Sequence, residues 1–156
     1  MRLLSEGVTA PLFTAPLKTG ELVRLADYRG KKNVVLFFYP RDFTPGCTRE
    51  VCAYGDSYAD IERYDAVIFG VSFDSATSHD RFTERYNIPF PLLTDADRAI
   101  SRAYGVARMN GMFPLVKRVT FVIDKAGVIR KVIHREMDID LHVEDALGAL
   151  KALPSA

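Results

Sequence analysis

The stretch that decides the fold runs from Asn33 to Ile61 and reads NVVLFFYPRDFTPGCTREVCAYGDSYADI. Its first part, Asn33 to Tyr39, is mostly β-branched and aromatic without polar alternation, which is typical of a strand buried on both faces of a sheet. Pro45 and Gly46 follow a few residues later, and proline suits the first turn of a helix because it fixes φ and lacks an N–H. The stretch therefore predicts a buried strand that turns sharply into a helix.

The predicted helix runs from about Cys47 to Tyr64. Its apolar residues fall on one stripe at about 100° per residue; they are Cys47, Val51, Tyr54, Tyr58 and Ile61. We therefore expect Cys47 to face the core, whereas Cys52 lies roughly 140° around the helix. A free thiol is only a few per cent ionised at neutral pH, and the thiolate is the nucleophile. A helix start and a nearby arginine both favour the thiolate, so Cys47 is a candidate reactive group.

The rest of the chain predicts alternating elements. Strands are expected at Ala66 to Ser72, Leu92 to Leu93, Val119 to Ile123 and Val128 to His134, and helices from Asp74 to about Tyr86, Asp97 to Tyr104 and Leu141 to Leu150. Val106 to Lys117 is expected to be an irregular loop. A βαβ half joined to a ββα half favours an α/β, thioredoxin-like fold, with a central mixed β-sheet flanked by helices and an N-terminal extension.

Size and composition exclude several classes of protein. A chain of 156 residues with 48% apolar and 26% charged residues fits one globular domain over residues 1–156 rather than a disordered protein. The net charge of +1 is made of interspersed signs, which predicts neither a nucleic-acid partner nor a membrane surface. The first seven residues lack the apolar core of a secretory signal, so we expect a cytoplasmic protein, whose cysteines are more often reduced and chemically used.

Several separate motifs resemble one family. Pro40-x-x-x-Thr44-Pro45-x-Cys47 resembles the active-site signature of peroxiredoxins, and the longer string from Tyr39 to Cys52 is similar to the bacterioferritin comigratory protein and peroxiredoxin Q branch. Three further motifs resemble that family in the same order along the chain: Ala10-Pro11-x-Phe13, Leu25-x-x-Tyr28-Arg29-Gly30 and Arg118-x-Thr120-Phe121-Val122-Ile123-Asp124. Gly55 and the segment Gly111-Met112-Phe113-Pro114 depart from the family pattern.

The resemblance implies a thiol peroxidase for hydrogen peroxide and organic hydroperoxides. Cys47 would be the peroxidatic cysteine that becomes a sulfenic acid, and Cys52 would resolve it as an intramolecular disulfide. Thioredoxin or a similar reductant would restore both thiols. Supporting roles would fall to Pro40 as a shield, Thr44 and Arg118 as groups that activate the peroxide, and Glu50 as the residue that orients the arginine. No metal or organic cofactor is implied, and a monomer and a weak homodimer both fit.

Helix geometry adds a mechanistic expectation. Residues five apart on an intact helix have Cα atoms roughly 8–9 Å apart, whereas a disulfide needs less than about 7 Å. The helix must therefore unwind locally before Cys47 and Cys52 can join. Gly55 lowers helix stability by about 1 kcal/mol relative to alanine, and we expect it to ease this unwinding.

Other interpretations of the same residues stay open at this point. Cys47 fits an inert core thiol equally well by periodicity, Thr44 fits a helix cap, and Glu50 fits a first-turn acid. A disulfide exchange protein of the thioredoxin class is an alternative, although that class usually carries Cys-x-x-Cys. A non-enzymatic holdase on the same scaffold is another. The three histidines have no zinc-ligand spacing. A Cys–His hydrolase would need a histidine that the fold brings to Cys47, and His134 is a candidate for that base.

Overall fold

The computed structural model describes residues 2–110 and 113–154. The strands in these ranges are β1 (Thr14–Pro16), β2 (Leu22–Arg24), β3 (Asn33–Phe38), β4 (Ala66–Ser72), β5 (Leu92–Thr94), β6 (Ala107–Asn110), β7 (Phe113–Val116), β8 (Val119–Ile123) and β9 (Ile129–His134). The helices are α1 (Pro45–Asp56), α2 (Tyr58–Arg63), α3 (Ala76–Tyr86), α4 (Ala99–Ala103) and α5 (Asp140–Ala152). Within the described ranges, no helix combines the length and apolar character that crossing a bilayer requires.

The central sheet is mixed and has the strand order β5-β4-β3-β8-β9. The middle strand β3 pairs in parallel with β4 and antiparallel with β8, and every residue of β3 and β8 is buried. Parallel pairing requires a crossover, and α1 with α2 supplies it between β3 and β4. The predicted mixed sheet flanked by helices is confirmed.

Alternate residues of β3 point into two separate cores. Leu36 and Phe38 pack on the face that the N-terminal segment and Tyr104 cover. Phe37 packs on the opposite face, where the buried sides of α1 and α5 meet the sheet. Because α1 and α5 share this face, the first turns of α1 lie beside the start of β8, and this arrangement places the site.

Two predicted elements were wrong. The helix expected from Cys47 to Tyr64 is two helices, separated at Ser57, whose N–H bonds back to the carbonyls of Ala53, Tyr54 and Gly55. The apolar stripe continues across this break, so periodicity does not reveal it. The helix also begins at Pro45, so Cys47 is its third residue.

The second wrong prediction was the loop from Val106 to Lys117. Ala107 pairs with Val116 in an antiparallel β6–β7 hairpin. Polar alternation is weak here, and Pro114 argues against a strand in the sequence because it lacks an N–H. Gly111 and Met112 lie outside the described residues.

Candidate active site

The turn between β3 and α1 is compact and strained at one position. Phe43 takes φ 66°, a left-handed conformation that bulky side chains rarely adopt. Thr44 returns to extended backbone, and Pro45 starts α1. A Cβ added at Gly46 would lie 3.3 Å from Arg118 Nη2 and 3.1 Å from the Ile139 side chain, so any larger residue would require these side chains to shift.

A buried polar cluster holds this turn against α3. The Asp42 carboxylate accepts hydrogen bonds from the Tyr39 hydroxyl at 2.6 Å and the Ser78 hydroxyl at 2.8 Å. The His79 Nδ1 atom lies 2.8 Å from the same carboxylate, and its Nε2 atom lies 3.1 Å from the Leu93 carbonyl oxygen. Both ring nitrogens thus lie within hydrogen-bond distance of a buried oxygen. The sequence patterns did not predict this buried polar cluster.

Three side chains at this cluster have a spacing that would fit a metal ion, and they form the one such group found in the described part of the chain. Asp42, Asp74 and His79 each offer one ligand atom within 4.8 Å of the others. Asp74 already accepts hydrogen bonds from the Asp42 N–H at 2.8 Å and the Ser72 hydroxyl at 2.6 Å. The internal hydrogen bonds account for the clustering of these groups.

The Cys47 sulfur is fully buried and faces one arginine. Both terminal nitrogens of Arg118, Nη1 and Nη2, donate to Sγ at 3.5 Å. Arg118 directly precedes β8, and its own N–H donates to the Glu136 carboxylate at 3.1 Å. Burial lowers the pKa of Arg118, but Glu50 and Cys47 outweigh it and leave the pKa raised. The guanidinium therefore remains a fixed positive charge beside the Cys47 sulfur.

Glu50 lies on the other side of the same guanidinium. Its Oε1 accepts from Arg118 Nη1 at 2.8 Å, while its Oε2 is buried with no hydrogen-bond partner among the described residues. Burial is the largest influence on this fully buried group and outweighs Arg118, so the pKa of Glu50 is raised to about 7. Glu50 is the sixth residue of α1, which rules out the first-turn acid.

A chain of buried polar groups extends behind Glu50. The Tyr54 hydroxyl lies 2.7 Å from Thr120 Oγ1, which lies 3.0 Å from His142 Nδ1. His142 Nε2 lies 2.8 Å from the Arg135 carbonyl oxygen. Burial lowers the pKa of His142. Tyr54 and His142 sit on apolar faces of their helices, so their spacing indicates core packing and gives no signal of this chain.

Thr44 and Pro40, the remaining predicted residues of the turn, make no hydrogen bond to the sulfur within the described residues. Thr44 occupies the N-cap position of α1, but its hydroxyl donates to the Arg41 carbonyl oxygen at 2.9 Å and makes no capping hydrogen bond to the helix. Pro40 is half-buried where β3 ends. A surface cavity beside this turn is lined by Arg41, Asp42, Phe43, Thr44, Asp74, Ser75 and Ser78.

Neither Cys52 nor His134 makes a hydrogen bond to the sulfur within the described part of the chain. Both cysteines are free thiols, and Cys52 is half-buried with its pKa raised by burial and by the Asp56 carboxylate. His134 Nε2 lies 3.0 Å from Glu136. Among the described residues, the hydrogen-bond partners of Cys47 Sγ are the Arg118 nitrogens, which does not support a Cys–His pair.

Comparison with known proteins agrees with this geometry. The AhpC/TSA family matches residues 7–132. The chain is 43% identical over 136 residues to peroxiredoxin Bcp of Bacillus subtilis, which covers 85% of each protein. Peroxidoxin BcpB of Mycobacterium tuberculosis superposes with a TM-score of 0.89 at 36% identity, covering 96% of this chain and 98% of that one.

A third similar structure is that of the bacterioferritin comigratory protein of Xanthomonas campestris, described for its alkyl peroxide reduction activity. It superposes with a TM-score of 0.83 at 31% identity and covers 90% of each chain. Family, sequence and fold thus agree over most of the chain. This chain belongs to the AhpC/TSA family and, within it, to the Bcp and peroxiredoxin Q branch of the peroxiredoxins, which are thiol peroxidases.

Proposed function

We propose that this peroxiredoxin reduces hydrogen peroxide and organic hydroperoxides with Cys47 as the peroxidatic cysteine. The observation that carries the proposal is the contact of both Arg118 terminal nitrogens with Cys47 Sγ at 3.5 Å. A cation that cannot lose its charge stabilises the thiolate before the reaction. It can then stabilise the negative charge that develops on the leaving oxygen of the peroxide. The alkyl peroxide activity described for the Xanthomonas campestris protein supports organic substrates.

The chemical step balances without a cofactor. The thiolate of Cys47 attacks the terminal oxygen of the peroxide, so an S–O bond forms and the O–O bond breaks. The terminal oxygen keeps its hydrogen as the sulfenic acid, and the leaving oxygen takes one proton. Arg118 and the Thr44 hydroxyl are the groups proposed to stabilise charge on that oxygen. Pro40 is proposed to shield the sulfur, and Glu50 to orient the guanidinium through its 2.8 Å hydrogen bond.

Cys52 is proposed to resolve the sulfenic acid. Its thiol displaces water from Cys47, which forms an intramolecular disulfide, and thioredoxin or a similar reductant restores both thiols by exchange. Because α1 is continuous from Pro45 to Asp56, this step requires local unwinding. Cys52 is half-buried on the same helix, so unwinding of α1 alone can bring the sulfurs together.

Other features stand as predictions from the sequence. They are a single domain over residues 1–156, action in the cytoplasm, a monomer or weak homodimer, and the absence of cofactors, nucleic-acid partners and membrane partners.

Steady-state turnover with thioredoxin, thioredoxin reductase and NADPH tests the function. We expect wild type to consume NADPH on addition of peroxide, Cys47→Ser to be inactive, and Cys52→Ser to reduce one equivalent of peroxide and then stop. Full turnover by Cys52→Ser would remove Cys52 as the resolving residue. Reduction of insulin disulfides without peroxide, with no peroxidase turnover, would instead favour a disulfide exchange protein.

A further inference from the structure

Two residues at the start of α5 hold α1 on either side of Cys47. Ile139, directly before α5, packs closely on Gly46, where an added Cβ would lie 3.1 Å from its Cδ1 atom. The carboxylate of Asp140, the first residue of α5, accepts from Arg49 Nε at 3.2 Å and from Arg49 Nη2 at 2.5 Å. The first turns of α1 are thus fixed to α5 both before and after the sulfur.

Arg49 lies between the two cysteines that the proposed resolution step joins. Because α1 is continuous from Pro45 to Asp56, a Cys47–Cys52 disulfide requires the backbone between them to leave the helix. The guanidinium of Arg49 donates two bonds from a planar fork, and this geometry fits a carboxylate in one orientation. Unwinding moves the backbone of Arg49 relative to α5 and removes this fit. The ion pair therefore stabilises the wound form of α1 and not the unwound form.

A second tie to the same segment lies inside the protein. Arg118 Nη1 donates to Glu50 at 2.8 Å and also to Cys47 Sγ, so a change in this tie alters the surroundings of the thiol. The side chains of Arg49 and Asp140, in contrast, are 65% and 58% exposed. Within the described residues, the hydrogen-bond partners of the sulfur are the Arg118 nitrogens. The outer ion pair can thus affect unwinding without changing the groups around the sulfur.

We propose that the Arg49–Asp140 ion pair is a latch that sets how readily α1 unwinds, and hence how fast the sulfenic acid of Cys47 is resolved. The inference rests on the proposed role of Cys52. While α1 is wound, a second hydrogen peroxide can transfer one oxygen to the sulfenic acid, which yields a sulfinic acid and water. Once α1 unwinds, the Cys52 thiol displaces water and forms the disulfide instead. The latch therefore sets the partition between recycling and over-oxidation.

The expected effect is small and depends on salt, because exposed ion pairs contribute little and are screened. Loss of the latch should raise the unwinding equilibrium about twofold to fivefold. In about 1 M sodium chloride the wild-type protein should approach the latch variant, whereas the variant itself should change little. Loss of apolar packing would not produce this dependence on ionic strength.

Amide hydrogen exchange of the reduced protein measures unwinding without peroxide, so this test does not depend on peroxidase activity. Arg49→Met removes the charge and keeps a long side chain of similar helix propensity. We expect the α1 amides between Cys47 and Cys52 to exchange about two to five times faster in this variant, with exchange in α3 unchanged. Arg63→Met is the matched control, since it removes an exposed arginine that lies 3.1 Å from Asp60 within α2. It should leave α1 exchange unchanged.

Rapid-quench mass spectrometry with hydrogen peroxide tests the consequence for resolution. In Arg49→Met the sulfenic acid should form at the wild-type rate, the disulfide should form faster by the same factor as the exchange, and less sulfinic acid should accumulate in excess peroxide. The double variant Arg49→Met/Asp140→Asn should match Arg49→Met, because both changes remove the same bond.

Three outcomes separate the latch from the proposed function. Unchanged α1 exchange in Arg49→Met, or equal acceleration by Arg63→Met, would overturn the latch. Faster α1 exchange with an unchanged rate of disulfide formation would overturn its control of resolution. Faster α1 exchange in a protein whose wild type forms no disulfide would support the latch on unwinding and refute the proposed role of Cys52.

Discussion

Gly55→Ala should slow disulfide formation between Cys47 and Cys52. Gly55 is the penultimate residue of α1, and an added Cβ would lie 3.4 Å from Pro89 Cδ, an ordinary contact, so alanine fits without displacing its neighbours. Alanine stabilises a helix interior by up to about 1 kcal/mol relative to glycine. The break at Ser57 separates α1 from α2, so this energy opposes the unwinding of α1 in particular.

The expected effect follows from this energy. About 1 kcal/mol corresponds to a factor of roughly 5 in the unwinding equilibrium. Rapid-quench mass spectrometry after one equivalent of hydrogen peroxide should show the sulfenic acid forming at the wild-type rate and the disulfide forming more slowly, by a factor of up to about 5.

Gly148→Ala is the matched control. Gly148 lies inside α5, where an added Cβ meets no atom within 4 Å, so it should raise the free energy of unfolding similarly without changing the disulfide rate. If Gly55→Ala stabilises the protein but leaves the disulfide rate unchanged, the idea that Gly55 eases unwinding is wrong. Equal slowing by both variants would show that α1 is not the element that unwinds.

Three further predictions concern the buried charges. Arg118→Met should lower the second-order rate constant for hydrogen peroxide by about 100-fold or more, measured by competition kinetics, because one charged donor group is lost; a loss below tenfold would contradict its role. His79→Phe leaves the buried Asp42 carboxylate without its 2.8 Å contact to the ring nitrogen and should lower the free energy of unfolding in urea by about 2 kcal/mol; a change under about 0.5 kcal/mol would show that this contact does not stabilise the fold. The folded pKa of Glu50, about 7, exceeds its ordinary value of 4.5, so its contribution to stability is present below pH 4.5 and is lost as the pH rises through 7. Relative to Glu50→Gln, wild type should therefore lose about 3 kcal/mol across this range in urea titrations, and a flat difference would contradict the raised pKa.

Sequence patterns predicted the sheet because each signal was local. The run from Val34 to Phe38 is apolar on both faces, and Ala66 to Val71 repeats the pattern, so β3 and β4 were expected where they occur. The break at Ser57 and the β6–β7 hairpin were missed. At Ser57 the apolar helical pattern continues across the break, so the pattern does not reveal it. In the hairpin the alternation of polar and apolar residues is too weak to indicate strands, and backbone pairing defines them.

The site was predictable where a motif marks a residue and unpredictable where only the fold brings groups together. Cys47, Glu50 and Arg118 lie in motifs, and the structure joins them through one guanidinium. His79 and His142 have no local signal, because a histidine on an apolar helical face resembles core packing. Their acceptors, the Leu93 and Arg135 carbonyls, are backbone groups that carry no sequence information.

The most direct test of the peroxidase account is the intact mass of the reduced protein after one equivalent of hydrogen peroxide. The account predicts rapid loss of two hydrogens, mapped to a Cys47–Cys52 disulfide and abolished by Cys47→Ser. A stable gain of one oxygen at Cys47 would keep the peroxidase and remove Cys52 as the resolving residue. An unchanged mass at both thiols would contradict the central claim that Cys47 is the peroxidatic cysteine.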